Sequence, residues 1–245
     1  MSPLAQSPIL LWGRTSRLRD ALAAELAAMR ALVVEGETPD ALIEGLASFS
    51  RAPSTVILPE TSIEPDRFET ELAELRIRAA TTRLVPITYG RMPDGERRMA
   101  LRRAGVHLAL FAPFGGHALR FQVNRALSRH ATRAPRGDLR VPKEWRTRTF
   151  ASGREKRVRC YSLSTGGAYL VTPRPWVVGS DLALELPLGQ EPLRVAGRVV
   201  YTKGSADAAR PLLPEGMAIA FRPLAQPVHD AIRADVSRSR FGLEV

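Results

Sequence analysis

The apolar residues of this chain change their spacing part-way along, and that change limits most strictly what the chain can fold into. Between residues 8 and 130, short apolar runs alternate with segments in which apolar residues recur every three or four positions. From Trp145 onward they recur every second position. The first pattern belongs to strands alternating with helices, the second to half-buried antiparallel strands. The spacing therefore predicts two folding units, residues 1–130 and 141–245, joined by a linker at 131–140. A chain of 245 residues is long enough to give each its own core.

In the first half, strands are expected at Ile9–Trp12, Ala31–Val34, Thr55–Leu58, Leu84–Thr88 and Val106–Phe111. Ser16 stands where a helix N-cap would precede Leu18, Leu22, Leu26 and Met29, and Thr38-Pro39 combines a cap with proline at the first turn. Phe68, Leu72 and Leu75 mark a third helix, a basic helix runs from about Asp94 to Gly105, and a fifth spans 116–129. Five such units predict a doubly wound, five-stranded parallel sheet covered by helices on both faces. His107, within the last strand, is expected to be packed.

The second half predicts an all-β unit. Trp145–Phe150, Lys156–Tyr161, Ala168–Val171, Leu182–Leu186, Leu193–Tyr201 and Met217–Phe221 read as six short strands, with Ser152-Gly153 as a hairpin turn and Gly197 as a bulge. Trp176 is expected against the barrel end. Val228–Val236 reads as a terminal helix. Short strands with turns at regular intervals indicate a small barrel or sandwich.

Two stretches stand out chemically. Arg136 and Arg140 lie four apart in the linker, and Cys160–Leu170 carries Ser162, Ser164, Gly166 and Gly167 between apolar runs. Glycine lets a backbone be approached closely, and arginine forks onto phosphate and onto the N7 and O6 edge of guanine. An arginine pair facing a Ser/Gly turn is a cradle for a phosphate and a purine edge.

At these residues the chain resembles a family. RxxxR at Arg136–Arg140, followed by xSxxG ending at Gly167, resembles the PilZ domain, a small β-barrel that binds cyclic di-GMP in bacteria. Val141-Pro142, Gly166–Leu170, Leu193–Tyr201 and Gly216–Phe221 extend the resemblance over roughly residues 133–238. It implies a six-stranded barrel with a C-terminal helix and a ligand site of Arg136, Arg140, Ser162, Ser164 and Gly167, with cyclic di-GMP as ligand and no cofactor. One departure stands in the motif. Ser162 occupies a position where the family has Asp or Asn. Loss of one charged hydrogen bond there costs about 1–3 kcal/mol, roughly 5- to 150-fold in affinity.

The first half resembles the receiver domain of response regulators, a flavodoxin-like fold. Ala100–Gly105 is similar to the end of the receiver's fourth helix, Phe111–Phe114 to its xKPF loop, and Thr88 falls at its switch position. The chemistry is missing. Pro59 stands at the phosphoryl acceptor with Glu60 beside it, Gly13-Arg14 at the metal-binding acidic pair, and Ala112 at the lysine. Phosphoryl transfer needs the carboxylate, the metal and the cation together, so this half reads as a pseudo-receiver.

Net charge is +11, but 33 of the 36 basic residues are arginine, and they are scattered. Residues 1–130 hold 17 basic and 14 acidic groups, residues 131–245 hold 19 and 11. The excess thus falls in the half with the proposed anion site, and no helix-turn-helix pattern points to DNA. The single cysteine, Cys160, excludes an internal disulfide and a cysteine-rich zinc site. His107, His117, His130 and His229 have no metal-ligand spacing, and neither GxSxG nor a P-loop occurs. No apolar run is long enough for a membrane span, and Met1–Gln6 does not begin like a secretory signal. The expectation is a cytoplasmic, non-enzymatic signalling protein. One reading is a cyclic di-GMP receptor that relays to signalling or motility proteins, with a homodimer through the receiver-like half as a further partner class. The other is an adaptor that has lost the nucleotide and works by protein contact alone.

Overall fold

Five strands order the first unit of the computed structural model: β1 (Ile9–Trp12), β2 (Val33–Gly36), β3 (Thr55–Pro59), β4 (Leu84–Gly90) and β5 (Leu108–Phe111). They pair in the order β2-β1-β3-β4-β5, all parallel. This is the flavodoxin-like order of doubly wound sheets. The structure describes residues 8–47, 55–78, 84–127, 139–204 and 213–245.

The helices between the strands are α1 (Arg17–Ala28), α2 (Pro39–Leu46), α3 (Pro65–Arg78), α4 (Gly95–Arg103) and α5 (Gly116–Leu127). The expected caps are in place. Ser16 Oγ accepts from the Arg19 amide at 3.2 Å and Thr38 Oγ1 from the Ala41 amide at 3.3 Å, and Asp94 caps α4 in the same way, accepting from the Arg97 amide at 2.8 Å. Each such cap contributes about 1 kcal/mol. β3 is buried along its whole length, as befits a central parallel strand covered on both faces. Leu10, Trp12 and Ile57 from the sheet meet Phe68, Leu72 and Leu75 from α3 in one core.

Three features depart from the expectation. β2 starts two residues later than the apolar run suggests. His107 precedes β5 and is exposed, not packed. Residues 242–245, expected with the barrel, group with the first unit, which comprises residues 1–132 and 242–245. They lie along the outer edge of β5.

The second unit, residues 133–241, is built from β6 (Val141–Pro142), β7 (Arg146–Ala151), β8 (Arg154–Ser164), β9 (Gly167–Val171), β10 (Asp181–Leu186), β11 (Leu193–Lys203), β12 (Gly216–Phe221) and α6 (Gln226–Arg240). Strand order β8-β7-β10-β11-β12-β9 closes through β9–β8 pairing into a six-stranded antiparallel barrel, with β6 added on β8. β6 escapes a sequence reading because it is two residues long and one is proline, which has no ladder donor. The β7–β8 hairpin turns on Ser152 and Gly153, both at positive φ (49° and 72°), as a type I′ turn requires. The bulge in β11 is not at Gly197. The register slips between Val199 and Tyr201, whereas Gly197 pairs normally with Leu182 and Phe221.

The barrel core contains Val158, Cys160, Leu163, Leu170, Leu184, Val195, Met217 and Ile219, joined by Ile232 and Val236 of α6. Burial pushes the Cys160 thiol up to about 12, so it is packed as a small apolar group. Trp176 packs against this core as expected, its Nε1 donating to Thr149 Oγ1 at 3.0 Å.

Candidate functional site

Register decides which side chains share the barrel's outer surface. Leu163, Ala168, Ile219 and Val199 lie side by side across β8, β9, β12 and β11, and all four belong to the core. Side chains alternate along a strand, so the rows on either side of this one point away from the barrel interior, although Ser162, Ser164, Gly167, Tyr169 and Ala218 in them are buried. One is Ser162–Tyr169–Ala218–Tyr201, the other Ser164–Gly167–Ala220–Arg198, with Asp181 of β10 continuing beside Arg198. Ser162, Ser164 and Gly167 therefore lie on one face.

Arg140 reaches the same place through β6. Val141 pairs with Leu163 and Pro142 with Ser162. Arg140, one residue earlier and exposed, continues that antiparallel register towards Ser164. Arg136 lies outside the described residues. Leu139 is half-buried against the barrel core, which fixes the backbone just before Arg140.

The anchor of β6 comes from far along the chain. Lys143 is buried, its Nζ 2.5 Å from Asp235 Oδ2 on α6 and 2.6 Å from Ser239 Oγ. It also sits over the Trp145 ring at 4.3 Å. These contacts hold β6, and with it Arg140 just before the strand, against β8. No spacing rule links residues 143 and 235, so a sequence reading has no signal for them.

The Ser/Gly turn is tighter than its sequence suggests. Ser162 and Ser164 both lie in β8, leaving Thr165-Gly166 as the turn. Ser164 Oγ donates to the Gly167 carbonyl at 3.2 Å. A Cβ on Gly167 would lie 2.2 Å from the Ile219 carbonyl oxygen, so the space left by this glycine is taken by the neighbouring strand. Ser162 and Ser164 are both buried. Tyr161 meets Tyr169 edge-on and Tyr169 meets Tyr201 at a tilt, with ring centroids 5.9 and 6.0 Å apart.

At the other end of the polar row, Asp181 accepts from Arg198 at 3.0 and 2.7 Å and from Arg222 at 2.6 Å. Hydrogen bonds from Arg198 and then Arg222 hold its carboxyl well below the usual carboxylate range. The outer face thus runs from Arg140 over small side chains to an Arg–Asp–Arg cluster. This cluster was not among the residues singled out from the sequence. Arg198 and Arg222 are 24 positions apart and meet only through strand pairing.

In the first unit, the C-terminal ends of β1 and β3 bound a cleft of about 540 Å³ lined by Arg14, Glu37, Glu60, Glu64 and Arg67 among others. Trp12 lies opposite Pro59, the last residue of β3. Thr88, at the switch position, is buried with its hydroxyl given to the Pro59 carbonyl at 3.1 Å. Arg19 donates to the Gly13 carbonyl at 2.7 Å and lies 3.6 Å from Glu35. A fixed guanidinium thus stands at the end of β1. Among the described residues, no group of three His, Cys, Asp or Glu side chains could hold a metal ion. No helix there is long and apolar enough to cross a membrane.

The family model of the PilZ domain matches residues 131–238. No curated protein matches. Among solved structures, the chain is similar to Bacillus subtilis inhibitor of motility (MotI/DgrA), at 17% identity and TM-score 0.37, covering 44% of this chain and 52% of that one. The chain therefore spans about half the length of that relative. It is similar to Vibrio cholerae chemotaxis protein CheY4, at 13% identity and TM-score 0.41, covering 50% of this chain and 100% of that one. It is also similar to the PilZ domain of YcgR from Escherichia coli, a structure with c-di-GMP, at 18% identity and TM-score 0.33, covering 44% and 93%.

Proposed function

We propose that this chain, whose residues 131–238 are a PilZ domain, is a non-enzymatic receptor for cyclic di-GMP that passes the nucleotide's level to a protein partner. The observation that carries the reading is the register of β6 on β8, which brings Arg140 alongside the outward Ser162–Ser164–Gly167 face. Arg140 and Arg136 supply forked donors for phosphate and guanine edges. The PilZ domain of YcgR has been solved with c-di-GMP, and MrkH as a complex with it, which supports the choice of ligand. Motility, polarity and surface behaviour are the settings that fit such a receptor, acting in the cytoplasm.

A second reading, an adaptor that works by protein contact without nucleotide, is favoured by particular residues. Ser162 offers a short neutral hydroxyl in place of a carboxylate or amide, and the Ser164 hydroxyl is already engaged with Gly167. Calorimetric titration of the whole chain with cyclic di-GMP separates the two. The receptor predicts binding by the wild type, roughly 10- to 100-fold weaker binding after Arg140→Ala through loss of a charge-assisted contact of about 1.5–3 kcal/mol, and tighter binding after Ser162→Asp. If the wild type is silent and Ser162→Asp binds, the barrel is a lapsed receptor. If both are silent, the receptor reading fails.

The first unit serves, in this proposal, as a pseudo-receiver that contacts partners without being phosphorylated. Incubation with acetyl phosphate and magnesium is expected to leave the intact mass unchanged. An acid-stable, base-labile adduct of one phosphoryl group on residues 8–127 would refute that part.

A further inference from the structure

Strand pairing gathers arginines that are spread along the sequence. In the β7–β8 hairpin, Arg146 lies directly opposite Arg159, and Arg148 directly opposite Arg157. All four are exposed, while Thr147, Thr149 and Val158 between them are buried. The four therefore share the outer wall of the barrel. β10 and β11 continue that wall, where Glu185 accepts from Arg148 at 2.8 Å and pairs in register with Arg194. Ser162, Ser164 and Gly167 lie elsewhere, where the far end of β8 meets β9.

Like charges directly opposite on neighbouring strands destabilise a sheet, and here two such pairs follow one another. Glu185, at 2.8 Å, and Glu155, at 3.8 Å, answer Arg148. Among the described residues, Arg146, Arg157 and Arg159 have no ion-pair partner. With Arg194 included, five arginines share the wall with two glutamates. A bound polyanion would remove the repulsion between them. Successive outward residues on one strand are about 6.5–6.8 Å apart, of the order of the step between successive phosphates in an extended nucleotide chain.

Beside the arginine pairs, an aromatic ring offers a second kind of contact. Phe150 is the next outward residue of β7, with Arg194 Cζ 4.3 Å and Arg148 Cζ 5.6 Å from its ring centroid. It lines an open hollow of about 460 Å³ at the hairpin end, together with Ser152, Gly153, Arg154 and Arg194. Aromatic rings and guanidinium planes are the surfaces on which unpaired bases stack. A lipid surface would call for more apolar side chains, and across this row only Ala183 and Ala196 accompany Phe150. We propose that the outer β7–β8–β10–β11 wall binds single-stranded nucleic acid, with phosphates on the arginine pairs and a base in the hollow at Phe150. The inference owes nothing to cyclic di-GMP, which plays no part in its test, so either reading can fail alone.

The test is fluorescence anisotropy of the whole chain with fluorescein-labelled oligouridine and oligodeoxythymidine of about 16 nucleotides. Micromolar binding is expected at low salt, and binding of either sugar form upholds the proposal. With three or four phosphates neutralised, affinity should fall about 20- to 50-fold between about 50 and 200 mM salt. Arg157→Glu/Arg159→Glu should bind at least tenfold more weakly yet melt no lower than the wild type, because each repelling pair becomes an attracting one. Phe150→Leu should weaken binding severalfold with the salt dependence unchanged, since stacking releases no counterions. A second measurement needs no variant: saturating oligonucleotide should protect Arg146, Arg157 and Arg159 of the wild type from modification by phenylglyoxal. The proposal is overturned if neither oligonucleotide binds at about 100 μM protein in low salt, or if binding leaves those arginines unprotected or survives in the folded charge-reversed chain. It is equally overturned if inorganic polyphosphate or polyglutamate competes as well as the oligonucleotides and Phe150→Leu has no effect, since the wall would then hold any polyanion. Capture of the chain by phosphatidylglycerol vesicles, with no oligonucleotide binding, would assign the wall to a membrane surface instead.

Discussion

Asp235→Ala will lower the stability of the barrel unit by about 3–5 kcal/mol, the cost of leaving a buried ammonium without its counter-charge. Lys143 and Asp235 side chains are 7% and 12% exposed and 2.5 Å apart, so neither can recover water when its partner is removed. Ser239 and the Trp145 ring remain beside Nζ, but a hydroxyl and a π-face do not replace a carboxylate. Scanning calorimetry should show the barrel's transition fall by 10 °C or more, at roughly 4–8 °C per kcal/mol for a unit of this size, while the first unit's transition stays in place. Lys143→Met with Asp235→Leu should recover most of the loss, because two apolar side chains need no pairing. A shift below about 2 °C for Asp235→Ala would show that the pair is solvated in solution. The functional consequence lies in β6. Releasing Lys143 frees the strand that carries Arg140, so any cyclic di-GMP binding should weaken although the substituted residue is on α6.

Gly167→Ala is the second large effect, expected at about 3 kcal/mol from forced overpacking. The new Cβ would stand 2.2 Å from the Ile219 carbonyl oxygen, 3.2 Å from its carbon and 3.4 Å from Ala220 Cα. All three are main-chain atoms, so no side chain can swing away, and β9 must move off β12 where Gly167 pairs with Ala220. Gly204→Ala is the control. Nothing lies within 4 Å of its Cβ position, and it should be neutral within about 0.5 kcal/mol. Equal melting of the two variants would remove the argument. The result bears on how the motif is read. A glycine in a nucleotide-binding signature invites the inference that it makes room for ligand, yet here the room is filled by a neighbouring strand. Loss of binding in a Gly167 variant would therefore report the barrel first and the ligand second, whereas Arg140→Ala, at an exposed position, reports the ligand directly.

The strongest signals in the sequence were local ones. Alternation at Trp145–Phe150 and Leu182–Leu186, caps at Ser16 and Thr38, and the turn at Ser152-Gly153 are set by neighbours within a few residues. Backbone geometry translates such patterns directly into strands, helices and hairpins. Residue identities also named the two arginines and the Ser/Gly turn as a pair worth relating.

Pairing between distant residues was decided by the fold. Lys143 meets Ser239 across 96 positions and Arg102 meets Val245 across 143, and neither contact leaves a periodic trace in the chain. Four residues on the edge of β5 are too few to show alternation, so Gly242–Val245 reads as a tail until a sheet edge is there to receive it. Val200 rather than Gly197 marks the bulge in β11, because a bulge is a property of two strands in register and not of the residue that looks most permissive. Composition and spacing determined the helices and the longer strands and that they make two units. Closure of the barrel, the seat of β6, the use of Gly167 and the filling of β5 follow from which backbones come within hydrogen-bonding distance, and that depends on long-range packing that no short stretch of sequence encodes.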